Sequence, residues 1–156
     1  MPITYLDVPE GIEIEEKKEL VKGIYEALNE AYPFPPDHRI YVREWPLDSV
    51  SQNGQLGSEP PRPVFQIHAP QGLSVEAKRK MIKSINTAVA KAYNNLPGFL
   101  ILLQEYPQDR VAINGNLNAD NQKHLEELSR SIEASSSSKA VYRKGREPEG
   151  RAAVAE

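Results

Sequence analysis

The sequence predicts an α+β (α/β) fold: a tandem β-α-β repeat forming one four-stranded sheet with two helices on one face. Three observations carry this reading. Slid against itself by 61 positions, from Pro2 to Pro63, the chain of 156 residues aligns with its own second half without a gap. Each half holds a short run rich in β-branched and aromatic residues, then an apolar stripe at helical spacing, then a second such run. Prolines and glycines punctuate both halves at the same places.

The repeat extends from end to end of the two units. Pro9 falls on Pro70, Gly11 on Gly72, Lys17 on Lys78 and Ile24 on Ile85. Ala31-Tyr32 falls on Ala92-Tyr93, Glu44 on Glu105, Pro46 on Pro107 and Asp48 on Asp109. Asn53-Gly54 meets Asn114-Gly115, and Leu56 meets Leu117. An ungapped register of this length is a duplication.

Taken in order, Ile3 to Val8 reads as a strand stopped at Pro9-Glu10-Gly11. From about Ile14 to Tyr32 the apolar positions Leu20 or Val21, Ile24, Ala27 or Leu28, and Ala31 recur at three- and four-residue intervals and make one helical face, with Glu15, Glu16, Lys18, Glu19 and Lys22 opposite. Pro33, Pro35 and Pro36 end that helix, since each lacks an N–H and clashes with the preceding turn. Arg39 to Trp45 is the second strand. The second unit repeats the pattern as Val64 to Ala69, a helix from an N-cap at Ser74 to Tyr93, and Phe99 to Tyr106.

Strand, crossover helix and strand make a parallel unit. Two units leave one sheet face uncovered. With Ile40 and Val42 turned to the helices, Arg39, Tyr41, Arg43 and Trp45 alternate onto the open face, which is expected to be buried by oligomerisation. The Asn53-Gly54 and Asn114-Gly115 pairs predict tight hairpins. The units are therefore assigned to 2–58 and 63–119, joined by a linker at 59–62. A third helix, capped by Asp120, is expected over 120–134 with Leu125, Leu128 and Ile132 as its stripe, and a disordered tail over 135–156.

Composition narrows the function classes. A net charge of −3 gives no electrostatic case for nucleic acid or a membrane surface. No cysteine is present, so disulfides, thiolate nucleophiles and zinc–cysteine sites are excluded. His38, His68 and His124 are scattered without ligand spacing, so no metal or cofactor is expected. No apolar run reaches the length of a membrane span and no signal-peptide pattern opens the chain, which reads as a soluble, cytoplasmic protein.

The candidate chemistry begins at Pro2. Removal of Met1 would leave Pro2 with a free secondary amine, the one proline nitrogen able to take up a proton near neutral pH. Proton shuttling needs such a base, and a nearby cation to stabilise a developing enolate oxygen. An arginine serves both ends, since its charge also lowers the amine pKa.

An N-terminal proline on a duplicated β-α-β unit ending in Asn53-Gly54-Gln55-Leu56 resembles the tautomerase superfamily, more narrowly a fused, double-length 4-oxalocrotonate tautomerase-like protein. The resemblance covers residues 2 to about 119. It implies the MIF-like tautomerase fold, a barrel-like homotrimer, no cofactor, and an isomerase that converts a small enol or dienol 2-oxo acid to its keto form. It makes Pro2 the general base and Arg39 the strand arginine that binds the substrate's oxo and carboxylate oxygens. Val50 stands where the family has an apolar-wall phenylalanine, Arg43 would be a second substrate cation or an intersubunit ion pair, and Tyr41 would pack the open face or line the pocket.

The chain departs from the family where its first-turn arginine would be, here Ile12, which argues against a dicarboxylate substrate. Pro63 follows Arg62, so its nitrogen is an amide, and Leu100 stands opposite Arg39; one proline site per chain is expected. Ile113, Leu102 and Ala69-Pro70-Gln71 occupy positions where the superfamily's dehalogenases and decarboxylases carry their helpers. The alternatives are a proline-dependent hydratase, dehalogenase or decarboxylase, or a non-catalytic oligomeric interaction protein on the same scaffold.

Overall fold

A computed structural model describes residues 2–59, 61–94, 96 and 98–137. The expected loss of Met1, and the tail from residue 138 onward, lie outside the described residues. The first unit is β1 (Ile3–Pro9), α1 (Ile14–Ala31), β2 (Arg39–Trp45) and a hairpin of β3 (Ser51–Gln52) with β4 (Gln55–Leu56). The second is β5 (Val64–Pro70), α2 (Val75–Ala92), β6 (Leu100–Tyr106) and a hairpin of β7 (Ala112–Ile113) with β8 (Asn116–Leu117). Both hairpins turn on Asn-Gly, with positive φ at Asn53, Gly54, Asn114 and Gly115, as a two-residue turn between twisted strands requires.

The four long strands form one mixed sheet in the order β2-β1-β5-β6. Each unit's own strands pair in parallel, Ile3 opposite Arg39 and Val64 opposite Leu100. The units join through β1 and β5, which run antiparallel with Ile3 opposite His68 and Asp7 opposite Val64. The repeat thus becomes an approximate two-fold, and the two unit N-termini lie at opposite ends of the central strand pair. The sheet is open, so the barrel expected of an oligomer is not formed within one chain.

Leu6, Val8, Phe65 and Ile67 are fully buried under the helices, against Leu20, Ile24, Leu28, Met81 and Ile85. Each such side chain removed from water contributes roughly 1.5–3 kcal/mol. The helices start where the sequence provides caps: Glu13 and Glu16 form a capping box on α1, and the Ser74 hydroxyl accepts from the Ala77 N–H on α2. They cross closely at Gly23, where a Cβ would stand 2.8 Å from that of Ala88.

The third helix departs from expectation at both ends. A 3-10 turn occupies Asn118–Asp120 and α3 runs Gln122–Ser137. Asn121, rather than Asp120, caps it, its side-chain oxygen accepting from the His124 N–H. Residues 135–137, assigned to the tail by their serines, are helical. The hydroxyl of Ser136 accepts from the Ser74 N–H, and that of Ser135 donates to the Glu30 carbonyl. Those tertiary bonds offset the poor helix propensity of serine. Leu128 and Ile132 are the buried residues of α3, and Ile132 packs over Gly72. Among the described residues, no helix is long and apolar enough to cross a membrane.

Candidate functional site

The parallel register of β1 and β2 builds the proline end. The Arg39 N–H donates to the Pro2 carbonyl at 3.4 Å, and one step back along the same register His38 stands opposite Pro2. Pro2 is fully buried. Arg39 alternates onto the open face with its side chain 61% exposed, its Nε 3.5 Å from a carboxylate oxygen of Asp37. Tyr41 first, and Asp37 second, raise the pKa of this guanidinium further, so it is a permanent cation held at the sheet edge.

His38 is the residue at this end whose role the sequence left open. Its ring lies edge-on to Tyr25, centroids 5.6 Å apart, and neither ring nitrogen meets a partner at hydrogen-bonding geometry. Burial first, and the positive chain terminus second, push its pKa below the usual histidine value; the Tyr32 backbone and Asp37 oppose the shift. His124 of α3, packed on Phe34, is lowered by the same two causes in the same order. A sequence signal for His38 was its place one residue before Arg39.

Arg43 and Val50 lie elsewhere. They line a groove of about 520 Å³ that also takes in Trp45, Pro61, Arg62 and Val64, the neighbours of Pro63. Along β1 this is about 16 Å from Pro2 at the usual rise per residue. Within one chain the structure therefore brings Pro2 and Arg39 together, and separately Arg43 and Val50. The cause is the antiparallel join of β1 and β5, which sets Pro63 beside the far end of β1.

Asp7 is the residue that sequence reasoning passed over. Its carboxylate accepts from Arg43 Nη2 and from Trp45 Nε1, both at 2.7 Å. The Arg43 guanidinium also lies over the Tyr5 ring, 5.1 Å from its centroid. Tyr41 stacks on Tyr5 at 5.3 Å, the Tyr5 ring meets His68 edge-on, and His68 stacks on Tyr106 with its Nδ1 2.9 Å from the phenol oxygen. An aromatic row thus crosses all four strands on the open face. Alternation along β1 puts Asp7 on that face, and this was the available signal.

Neither a protein-family model nor a curated protein matches the chain. Solved structures do. A wild-type fused 4-OT described as an asymmetric trimer superposes with a TM-score of 0.68 at 21% identity, covering 77% of this chain and 98% of that one. A native fused 4-OT gives a TM-score of 0.67 at 20% identity over 76% of this chain and 98% of its own. A malonate semialdehyde decarboxylase inhibited by 3-bromopropiolate gives 0.58 at 16% identity, over 81% of this chain and 98% of its own. The chain has the fold of these fused 4-OT structures.

Proposed function

We propose that the protein is a cofactor-independent isomerase that converts a small enol 2-oxo acid to its keto form, with Pro2 as general base. The observation that carries this reading is the joining of Pro2 to Arg39 through one backbone hydrogen bond on this fold. With Met1 removed, the Pro2 amine takes the proton of the enol hydroxyl, and the resulting prolinium delivers a proton to the substrate carbon that becomes saturated. One bond to hydrogen breaks and one forms, so nothing besides the amine is consumed or regenerated. Arg39 binds the carboxylate and the oxygen on which charge develops. Ile12, in place of a second arginine, fits a mono-acid.

A homotrimer is part of the proposal. The open face carries Tyr41, Trp45, Leu100 and Leu102, all at least 39% exposed in the single chain, and burying such a surface favours association. Fused 4-OT structures of the same fold are described as trimers. In a trimer, Arg43 and Val50 of one chain would be available to the proline end of another. Val111, the repeat mate of Val50, is the proposed apolar wall for Pro2 within one chain.

Ketonisation of a generic enol 2-oxo acid, followed by ultraviolet absorbance, tests the reading on protein whose intact mass shows the loss of Met1. Pro2→Ala should lower the rate by about 10²–10⁴, the usual contribution of a positioned base, without changing assembly size. An unchanged rate would remove Pro2 from the mechanism. Failure of the correctly trimmed protein to turn over any enol would favour the decarboxylase, hydratase or binding alternatives.

A further inference from the structure

The helix layer carries two related grooves on the side away from the open sheet face. At the end of α1 and the start of α2, Ala27, Glu30, Ala31, Ala77, Lys80 and Met81 line a groove that Ser135 of α3 enters. The repeat offset carries those six onto Ala88, Lys91, Ala92, Glu16, Glu19 and Leu20, and all six line a second groove of about 440 Å³. The second groove is lined by α1 and α2 alone. α3 thus covers one of two equivalent positions, because the chain has a single third helix.

The second groove differs from its mate in charge. Its floor is Leu20, Gly23, Ala88 and Ala92, and its rim carries Glu15, Glu16, Glu19 and Glu26 against Lys22 and Lys91. In the covered groove the ion pair of Lys80 with Glu30 bridges α2 to α1. The mates of that pair, Glu19 and Lys91, again set a glutamate on α1 against a lysine on α2, so the acidic excess of the second groove comes from Glu15, Glu16 and Glu26. The uncovered groove is an apolar trough with an acidic edge on α1.

We propose that the chain's own basic segment 139–146 docks in this second groove. The segment contains Lys139, Arg143, Lys144 and Arg146, with Val141 and Tyr142 between them and no acidic residue. It follows directly on α3, whose last turn is tied to Glu30 and Ser74 beside the first groove. From Ala27 back to Glu16 is about 16 Å of helix, and the nine residues from Ser138 to Arg146 reach about 30 Å when extended. Val141 and Tyr142 meet the apolar floor while the cations meet the α1 glutamates. This surface lies apart from the proline end, so the inference stands whatever reaction Pro2 performs.

Charge exchange in the full-length chain tests it. Hydrogen exchange across residues 15–26 should quicken about three- to tenfold in Arg143→Glu/Lys144→Glu and likewise in Glu19→Lys/Glu26→Lys, the scale of two or three exposed ion pairs. The four substitutions combined should restore slow exchange. Because the chain has no cysteine, Glu19→Cys with Lys144→Cys reports the partner directly. A disulfide within one chain supports docking in cis. A disulfide between chains would assign the groove to a second copy and overturn the proposal. So would exchange indifferent to either charge reversal.

Discussion

The amide of Arg39 is hydrogen-bonded to the carbonyl of Pro2, so the first residue of β2 is fixed relative to the chain terminus by backbone alone. The guanidinium is free of that duty. Its side chain is largely exposed and its ion-pair partner among the described residues, Asp37, is at 3.5 Å. Substituting the side chain should therefore leave the fold intact while removing the cation. Arg39→Gln is expected to lower kcat/KM for a 2-oxo acid about 10²–10³-fold, the scale of losing one oxyanion donor. Thermal unfolding should be unchanged, and Arg39→Lys should recover part of the loss, since it restores charge without the planar fork. Equal rates in wild type and Arg39→Gln would assign substrate binding to another cation.

Asp7 holds two long side chains of β2, and its own side chain is only 20% exposed. Asp7→Asn keeps the shape and one acceptor but removes the charge facing Arg43. A loss of about 1–2 kcal/mol in urea unfolding is expected, since a charge-assisted bond is weakened in a half-buried place. Arg43→Gln should cost less, below about 1 kcal/mol, because that side chain is 45% exposed and solvent screens it. If the two substitutions cost the same, the bond to Trp45 contributes nothing.

The fold was legible because every element repeats. β2 begins and ends at Arg39 and Trp45 as the alternation required, and Ser74 caps α2 as its position before the apolar stripe implied. What could not be read was the pairing between units. Periodicity fixes which face a residue occupies, but not which strand lies beside it, so the antiparallel join of β1 and β5 was invisible. That join places Val50 beside Pro61 and Val64 rather than beside Pro2. The end of α3 failed for a related reason: composition marks Ser135 and Ser136 as helix-breaking, whereas their bonds to Glu30 and Ser74 are long-range.

Gly23 sits at the tightest helix crossing. Its φ is not in the left-handed region, so the residue is there for space rather than for backbone freedom. Gly23→Ala gains up to about 1 kcal/mol of helix propensity. It also drives two Cβ atoms to 2.8 Å, and overpacking of that kind costs about 1–3 kcal/mol. The crowding should win, giving a lower urea midpoint. Gly23→Ala combined with Ala88→Gly moves the methyl across the crossing and should recover most of the loss. A Gly23→Ala variant more stable than wild type would show that the helices separate freely.

His38 makes stability depend on pH with a defined sign. Its folded-state pKa lies below 6.5 because burial and the positive terminus disfavour the imidazolium, with Asp37 and the Tyr32 backbone opposing them and Tyr25 packed on the ring. Above about pH 6.5 both folded and unfolded chains hold this ring neutral, and its contribution is fully present. Below that value the unfolded chain takes up the proton first, so stability falls until the folded pKa is reached. His124, lowered by the same causes, adds in the same direction. Urea midpoints measured between pH 7.5 and 5.5, above the carboxylate range, should decline in wild type and decline less in His38→Gln. Adding His124→Gln should flatten the profile further. An identical slope in all three proteins would mean that neither ring resists protonation in the folded chain.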